Sequence, residues 1–295
     1  MPTNTIGAAL TAATAMLDQS SPSPRLDAEV LLGHVTGKNR THFRAWPEQQ
    51  LDETVHAQFL ELIKQRLSGI PIAYLTGSRE FWSLDFLITP DVLIPRPETE
   101  TLVELALGFL PFGQPGKILD LGTGSGAIAI AIALERPCTD VVAVDVSSQA
   151  LELAGRNADR LGGTNVSFRR GDWFAALGPD ERFDLIVSNP PYVAEHDPHL
   201  RQDDVRFEPK PALASGIDGL DDLRKIIGAA RSHLNEGGWL LFEHGYDQSK
   251  QTEELLRAAG FTKISTHLDL QGQPRVGMGQ SACAGTVTLP QPGQK

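Results

Sequence analysis

From Pro97 onward the chain alternates short apolar runs with longer helical stretches, and this alternation narrows its possible folds more than any other feature. Lys117–Leu121, Val141–Val144, Val166–Arg169, Phe183–Val187 and Trp239–Glu243 read as strands. Ala127–Leu134, Ala150–Leu161 and Leu220–Leu234 read as helices. Parallel neighbours need a crossover, usually helical, so repeated strand–helix units predict a mainly parallel sheet with helices on both faces.

The first seventy residues differ. Ile6, Leu10 and Leu17 form one apolar stripe, Leu26, Val30 and Leu31 a second, and Val55, Phe59, Leu62, Ile63 and Leu67 a third. Gly69 and Pro71 stop the last one. Between this helical unit and the alternating region, Phe81–Val92 mixes apolar residues with turn formers, which predicts a short hairpin ending at Pro95 and Pro97. The expected division is 1–72 helical, 73–96 a hairpin linker and 97–290 the sheet domain, with a frayed polar tail from about Leu289.

With 295 residues, 41% hydrophobic and 21% charged, the chain can build both domains. Its net charge of −11 argues against a surface made for nucleic-acid phosphates. Cys138 and Cys283 lie far apart with no CxxC, so neither a disulfide framework nor a metal site is expected. The N-terminal stretch lacks the basic start and apolar run of a secretory signal, and no apolar run reaches the roughly 20 residues of a membrane span. A soluble, cytoplasmic, monomeric protein is the expectation.

The first strand runs into Asp120-Leu121-Gly122-Thr123-Gly124-Ser125-Gly126 and then a helix. Glycines there let the backbone turn tightly and approach a ligand, and ligands in such sheets sit beyond the carboxyl ends of the strands. Gly122, Gly124 and Ala127 also satisfy the relaxed dinucleotide fingerprint, so the loop alone leaves a nicotinamide cofactor and S-adenosylmethionine both open. Asp145 ends the second strand, where a carboxylate suits ribose hydroxyls of either. Asp172 and Trp173 follow the third strand, placed to accept from an adenine amino group and to pack on its ring.

The fourth strand ends in Asn189-Pro190-Pro191-Tyr192. Two prolines stop strand pairing and leave their carbonyls free as acceptors. An amide or aryl NH2 is weakly nucleophilic. The Asn189 side-chain oxygen and the Pro190 carbonyl form a pair of acceptors able to orient such a nitrogen and stabilise charge developing on it. Tyr192 can pack its face on the planar group.

These motifs resemble the HemK/PrmC family, glutamine N5-methyltransferases of peptide chain release factors. The resemblance runs through Ile94–Glu100, Asp120–Gly126, Asn189–Tyr192, Glu208-Pro209, Ala212-Leu213 and Asp218–Leu220. It implies a seven-stranded, Rossmann-like class I S-adenosylmethionine-dependent methyltransferase sheet with an antiparallel last strand, preceded by a small all-α domain that docks the substrate. Phe261–Leu270 and Gly285–Leu289 would supply the last two strands. It implies cofactor contacts at Gly122, Thr123, Gly124, Ser125, Gly126, Asp145, Asp172, Trp173 and Asn189. The substrate would be the glutamine of the Gly-Gly-Gln loop of class 1 release factors, held by Asn189, Pro190, Pro191 and Tyr192. Methylation there would modulate translation termination. Within Arg96–Glu100, helix-start chemistry and substrate contact stand as equal readings. The family's strand-five ending, glutamate, apolar residue and glycine, reads here Glu243-His244-Gly245, a local variant rather than a catalytic base. An exocyclic NH2 of a nucleic-acid base is the alternative acceptor, disfavoured by the acidic charge. A non-catalytic binding module and a nicotinamide dehydrogenase are weaker alternatives.

Overall fold

The computed structural model describes residues 4–202 and 204–282. Five helices open the chain: α1 (Ile6–Leu17), α2 (Pro24–Thr36), α3 (Arg40–Ala45), α4 (Glu53–Leu67) and α5 (Ile72–Thr76). Their starts are written locally. The Thr5 hydroxyl accepts from the Ala8 amide, Asn39 caps α3, Asp52 caps α4, and Pro24 opens α2. Leu10, Leu17, Leu31, Leu32, Phe59 and Ile63 form a separate core. The inward stripes are narrower than the sequence suggests. Leu26 lies on the side of α2 away from Ala28 and is 42% exposed, and Leu67, at the end of α4, is 38% exposed. Arg66 is buried in their place, bonded to Asp27.

The hairpin pairs β1 (Ser78–Phe81) with β2 (Leu84–Leu87). Trp82 and Ser83 both take positive φ, 54° and 58°, the conformation of a tight hairpin turn built here without glycine. Contacts with the sheet domain hold it: the Trp82 amide donates to Glu100, its indole to Glu135. Asn157 exchanges hydrogen bonds with both backbone groups of Leu87. Phe81, Phe86, Ile88, Val92 and Ile94 belong to the same core as the sheet.

The sheet domain runs α6 (Glu100–Gly108), β3 (Gly116–Leu121), α7 (Ala127–Glu135), β4 (Thr139–Asp145), α8 (Ser148–Leu161), β5 (Val166–Arg170), β6 (Phe183–Ser188), α9 (Asp221–Ala230), β7 (Leu234–Glu243), α10 (Ser249–Ala258), β8 (Phe261–Leu268) and β9 (Pro274–Ser281). Strand order is β5-β4-β3-β6-β7-β9-β8, with β9 antiparallel to both its neighbours. Successive strand residues face opposite sides, as the two-residue period requires. Ile118, Val141, Leu185 and Leu241 pack under α6, α7 and α8. Leu119, Val142, Ile186 and Leu240 pack under α9 and α10.

Two boundaries depart from expectation. The helix expected to reach Leu234 ends at Ala230, and β7 starts at Leu234 instead of Trp239. Asn235–Gly238 read as a turn, yet Leu234 pairs with Phe183 across a bulge before regular pairing resumes at Trp239. The last strand is Pro274–Ser281, and Gly285–Leu289 and the tail from Leu289 lie outside the described residues. Strand β8 stops at Leu268.

Chain order reverses between β3 and β6, which opens the crevice where such sheets bind ligands. Leu121 is paired with Ser188, and the Ser188 hydroxyl donates to the Leu121 carbonyl at 2.8 Å. The glycine loop and Asn189–Tyr192 therefore leave the sheet side by side.

Candidate active site

A cavity of 350 Å³ opens at this crevice. Gly122–Ser125, Asp145, Asp172, Trp173, Asn189 and Pro191 all line it, so residues spread over seventy positions of sequence meet at one site. A second cavity of 50 Å³ adjoins it, lined by Asn189, Pro190, Pro191, Tyr192, Arg96 and Glu243. Asn189 and Pro191 wall both.

The glycine loop is shaped by backbone need. Gly126 has φ +83°, and a Cβ there would come within 2.8 Å of Ile130 and 3.1 Å of Ala154. Gly122 has φ +74° and lies beneath the Trp173 ring, 3.2 Å from where a Cβ would sit. Asp145 Oδ2 accepts from the Gly124 amide and Oδ1 from the Ser147 amide, both at 2.9 Å, which holds the carboxylate against the loop. Beneath the loop Asp120 is fully buried. Burial, with a smaller push from Asp145, raises its carboxyl to about 7 against the Thr123 hydroxyl bond. Trp173, held at φ +49°, donates its indole N–H to Asp222 at 3.3 Å.

The charge of the larger cavity separates the two cofactor readings. Asp91, Asp145, Asp172 and Asp222 line it, and no lysine or arginine does. An anionic pyrophosphate gains no counter-charge there, whereas a cationic sulfonium does. Asp145 sits where it would meet ribose hydroxyls, and Trp173, Val146 and Ile128 offer apolar walls where a purine would lie. The residues fit S-adenosylmethionine.

Around the smaller cavity the polar groups form a chain. The Thr99 hydroxyl donates to Glu243 Oε2 at 2.7 Å and accepts from Asn189 Nδ2 at 3.1 Å. The Tyr192 hydroxyl donates to Glu243 Oε1 at 2.9 Å. Burial raises the Glu243 carboxyl against these two hydrogen bonds. Burial and the facing Glu243 push the Tyr192 phenol far above its ordinary range. Asn189 Oδ1 is buried with no partner among the described residues, and none of them donates to the Pro190 carbonyl. A buried acceptor without a donor is a site for an incoming N–H.

Sequence reasoning named Thr99, Glu208 and Glu243 within matched segments without giving any of them its own role, and did not name Asp222. Glu208 pairs with Arg96 and accepts from the Ile94 amide, fixing the segment before α6 against the loop after Tyr192. Arg96–Glu100 thus divides its work. Arg96 and Thr99 face the cavities, whereas Glu98 accepts from Gln271 and Glu100 from Trp82. An acidic residue closing a buried strand beside β6 was the available signal for Glu243. His244 lines neither cavity. Its Nδ1 bonds the Gly245 carbonyl, and burial lowers its pKa, so it stays neutral.

Seven strands with one antiparallel, a glycine loop at the switch point and a carboxylate ending the next strand define a class I S-adenosylmethionine-dependent methyltransferase. Residues 8–77 match the PrmC N-terminal domain and residues 114–277 a methyltransferase domain. The release factor glutamine methyltransferase of Vibrio cholerae is 50% identical over 94% of this chain and 96% of its own length. That of Pseudomonas aeruginosa is 51% identical over 89% and 95%. The chain belongs to the release factor glutamine methyltransferase family. A solved methyltransferase from Pyrococcus furiosus, 21% identical, shares the fold with a TM-score of 0.52 over 74% of this chain and 97% of its own.

Proposed function

We propose that this enzyme methylates the side-chain amide nitrogen, N5, of the glutamine in the Gly-Gly-Gln loop of class 1 peptide chain release factors. The observation that carries the reading is the unpartnered Asn189 Oδ1 at the junction of the two cavities, beside the free Pro190 carbonyl.

S-adenosylmethionine supplies an electrophilic methyl on a sulfonium. A carboxamide NH2 carries two hydrogens, and Asn189 Oδ1 with the Pro190 carbonyl offers one acceptor to each. Both bonds strengthen as positive charge develops on nitrogen, so they favour the transition state over the ground state. The Tyr192 face stabilises the same charge, and its bond to Glu243 fixes the ring. The methyl would pass to the amide nitrogen as the C–S pair returns to sulfur, and the extra proton on nitrogen would then leave to solvent, since Asn189 Oδ1 and the Pro190 carbonyl orient the group without being bases.

The 50 Å³ slot suits an amide better than a purine. The names and high identity of the curated relatives support a release factor as the protein substrate. The helical unit would grip that factor outside the loop. The enzyme would act in the cytoplasm, where release factors work, and among the described residues no helix is long and apolar enough to cross a membrane.

The test mixes purified enzyme and S-adenosylmethionine with unmodified release factor, and with total RNA in parallel, followed by mass spectrometry. One added methyl on the Gly-Gly-Gln glutamine is expected. Methylated bases with an unmodified factor would keep the chemistry and overturn the substrate.

A further inference from the structure

Asn189 can present either an acceptor or a donor to the cavity, because its amide oxygen and nitrogen have nearly the same shape. Only its neighbours decide between them. Its neighbour Thr99 has one hydroxyl hydrogen, and that hydrogen points to Glu243 Oε2 at 2.7 Å. With that hydrogen spent on Glu243, the Thr99 hydroxyl can only accept from Asn189. Asn189 therefore turns Nδ2 to Thr99 at 3.1 Å, and Oδ1 faces the cavity.

We infer that Glu243 is a positioning residue for methyl transfer: through Thr99 it fixes Asn189 as an acceptor, and through the Tyr192 hydroxyl it fixes the ring that faces the acceptor group. The geometry suits the role. Glu243 ends β7 and is 1% exposed, so water cannot replace its two partners. Its two oxygens divide between Thr99, on the turn before α6, and Tyr192, after β6. One carboxylate thus joins three segments distant in sequence. The inference rests on the proposed NH2 acceptor, since an acceptor at Asn189 is useful only to a group that donates.

Glu243→Gln tests it with little change of shape. Glutamine offers one acceptor and one donor. With its NH2 toward Thr99, the Thr99 hydrogen turns to Asn189, and Asn189 presents a donor to the substrate's donors. With its NH2 toward Tyr192, the phenol loses its acceptor. Either way one link is inverted. The expected result is a kcat lower by roughly 10²-fold, the scale of a lost transition-state hydrogen-bond partner, with KM and cofactor Kd within about twofold. Thr99→Val is expected to give a similar kcat loss and Thr99→Ser to restore it.

An activity-independent reading accompanies these: the side-chain amide NMR signal of Asn189 should shift and exchange faster in Thr99→Val but not in Thr99→Ser. Unchanged kcat in Glu243→Gln or an Asn189 signal indifferent to Thr99 would overturn the relay. Should Glu243→Gln not fold, the Thr99 pair decides by the same readings. A native enzyme that methylates no release factor overturns the substrate, while the Asn189 signal still decides the relay.

Discussion

Asn189 and Asp145 divide chemistry from binding, and single substitutions should separate them. Asn189→Ala removes one of two acceptors and one side chain from the wall of the cofactor cavity. Turnover is expected to fall by roughly 10²–10³-fold, far more than cofactor affinity, measured by kinetics and calorimetry; full activity would sink the acceptor pair. Asp145→Ala removes the carboxylate held by the Gly124 and Ser147 amides. Hydrogen bonds to a charged group contribute about 1.5–3 kcal/mol, so cofactor binding should weaken by one to two orders of magnitude, and an unchanged Kd would remove the ribose assignment. Asp120 carries a pH signature. Its carboxyl is raised from 3.8 to about 7 in the fold, so the folded state holds a proton that the unfolded chain releases. Stability from this group is complete below about pH 4 and is lost as pH rises toward 7. Asp120→Asn cannot lose a proton. Its stability relative to the native chain should rise between pH 5 and 7 by up to about 1.4 kcal/mol per unit, measured by denaturant unfolding, and a flat difference would show that Asp120 titrates normally. At this scale the ligand-facing motifs were legible because glycines, prolines and an Asn carry their chemistry in their type. Thr99 and Glu243 were not, since what they do depends on partners 144 positions apart.

Elements announce themselves when their pattern matches their burial. Strands β3, β4 and β6 carry apolar runs through their middles because both their faces are covered, so they read plainly. Strand β9 does not. Only Val276 and Met278 are apolar in its middle, with Gly277 between them and Gly279 after them. The glycines answer to the rings beside them. A Cβ on Gly277 would lie 2.8 Å from the Phe242 ring, and one on Gly279 would lie 3.0 Å from Phe261. That constraint comes from packing between strands and is invisible along the chain. Gly277→Ala should therefore overpack a ring that is fully buried, lowering stability by roughly 1–3 kcal/mol. Phe242→Leu in the same chain should recover part of the loss. A denaturant midpoint unmoved by Gly277→Ala would mean that β9 yields more easily than its contacts indicate.

The molecule has one core in the helical unit and one on each face of the sheet, with α5 packing on both the helical core and the sheet, and polar contacts between the two parts run toward the site. The helical unit keeps its own core, separate from the sheet. Its link to the sheet domain includes Arg66, which donates Nε to Asp27 inside the unit and Nη1 to Asp204 outside it. Arg206 adds a bond to the Ser68 carbonyl. Asp204, Arg206 and Glu208 lie on the loop that leaves Tyr192, and Glu208 grips Arg96 beside the smaller cavity. A substrate bound by the helices, as proposed, would be held in register with the slot through this loop. Two substitutions separate this tether from stability. Arg66→Met leaves Asp27 buried without its cation, although Ser21 and Ser23 still donate to it, and should cost about 3–5 kcal/mol. Asp204→Asn breaks only the cross-domain pair, whose carboxylate is 39% exposed, and should cost at most about 1 kcal/mol. If the tether sets register, Asp204→Asn should raise KM for an intact release factor several-fold while cofactor Kd stays within twofold, as titration calorimetry would show. An equal loss of cofactor affinity would mean instead that the loop shapes the cofactor cavity, which Pro209, Pro211 and Ala212 also line.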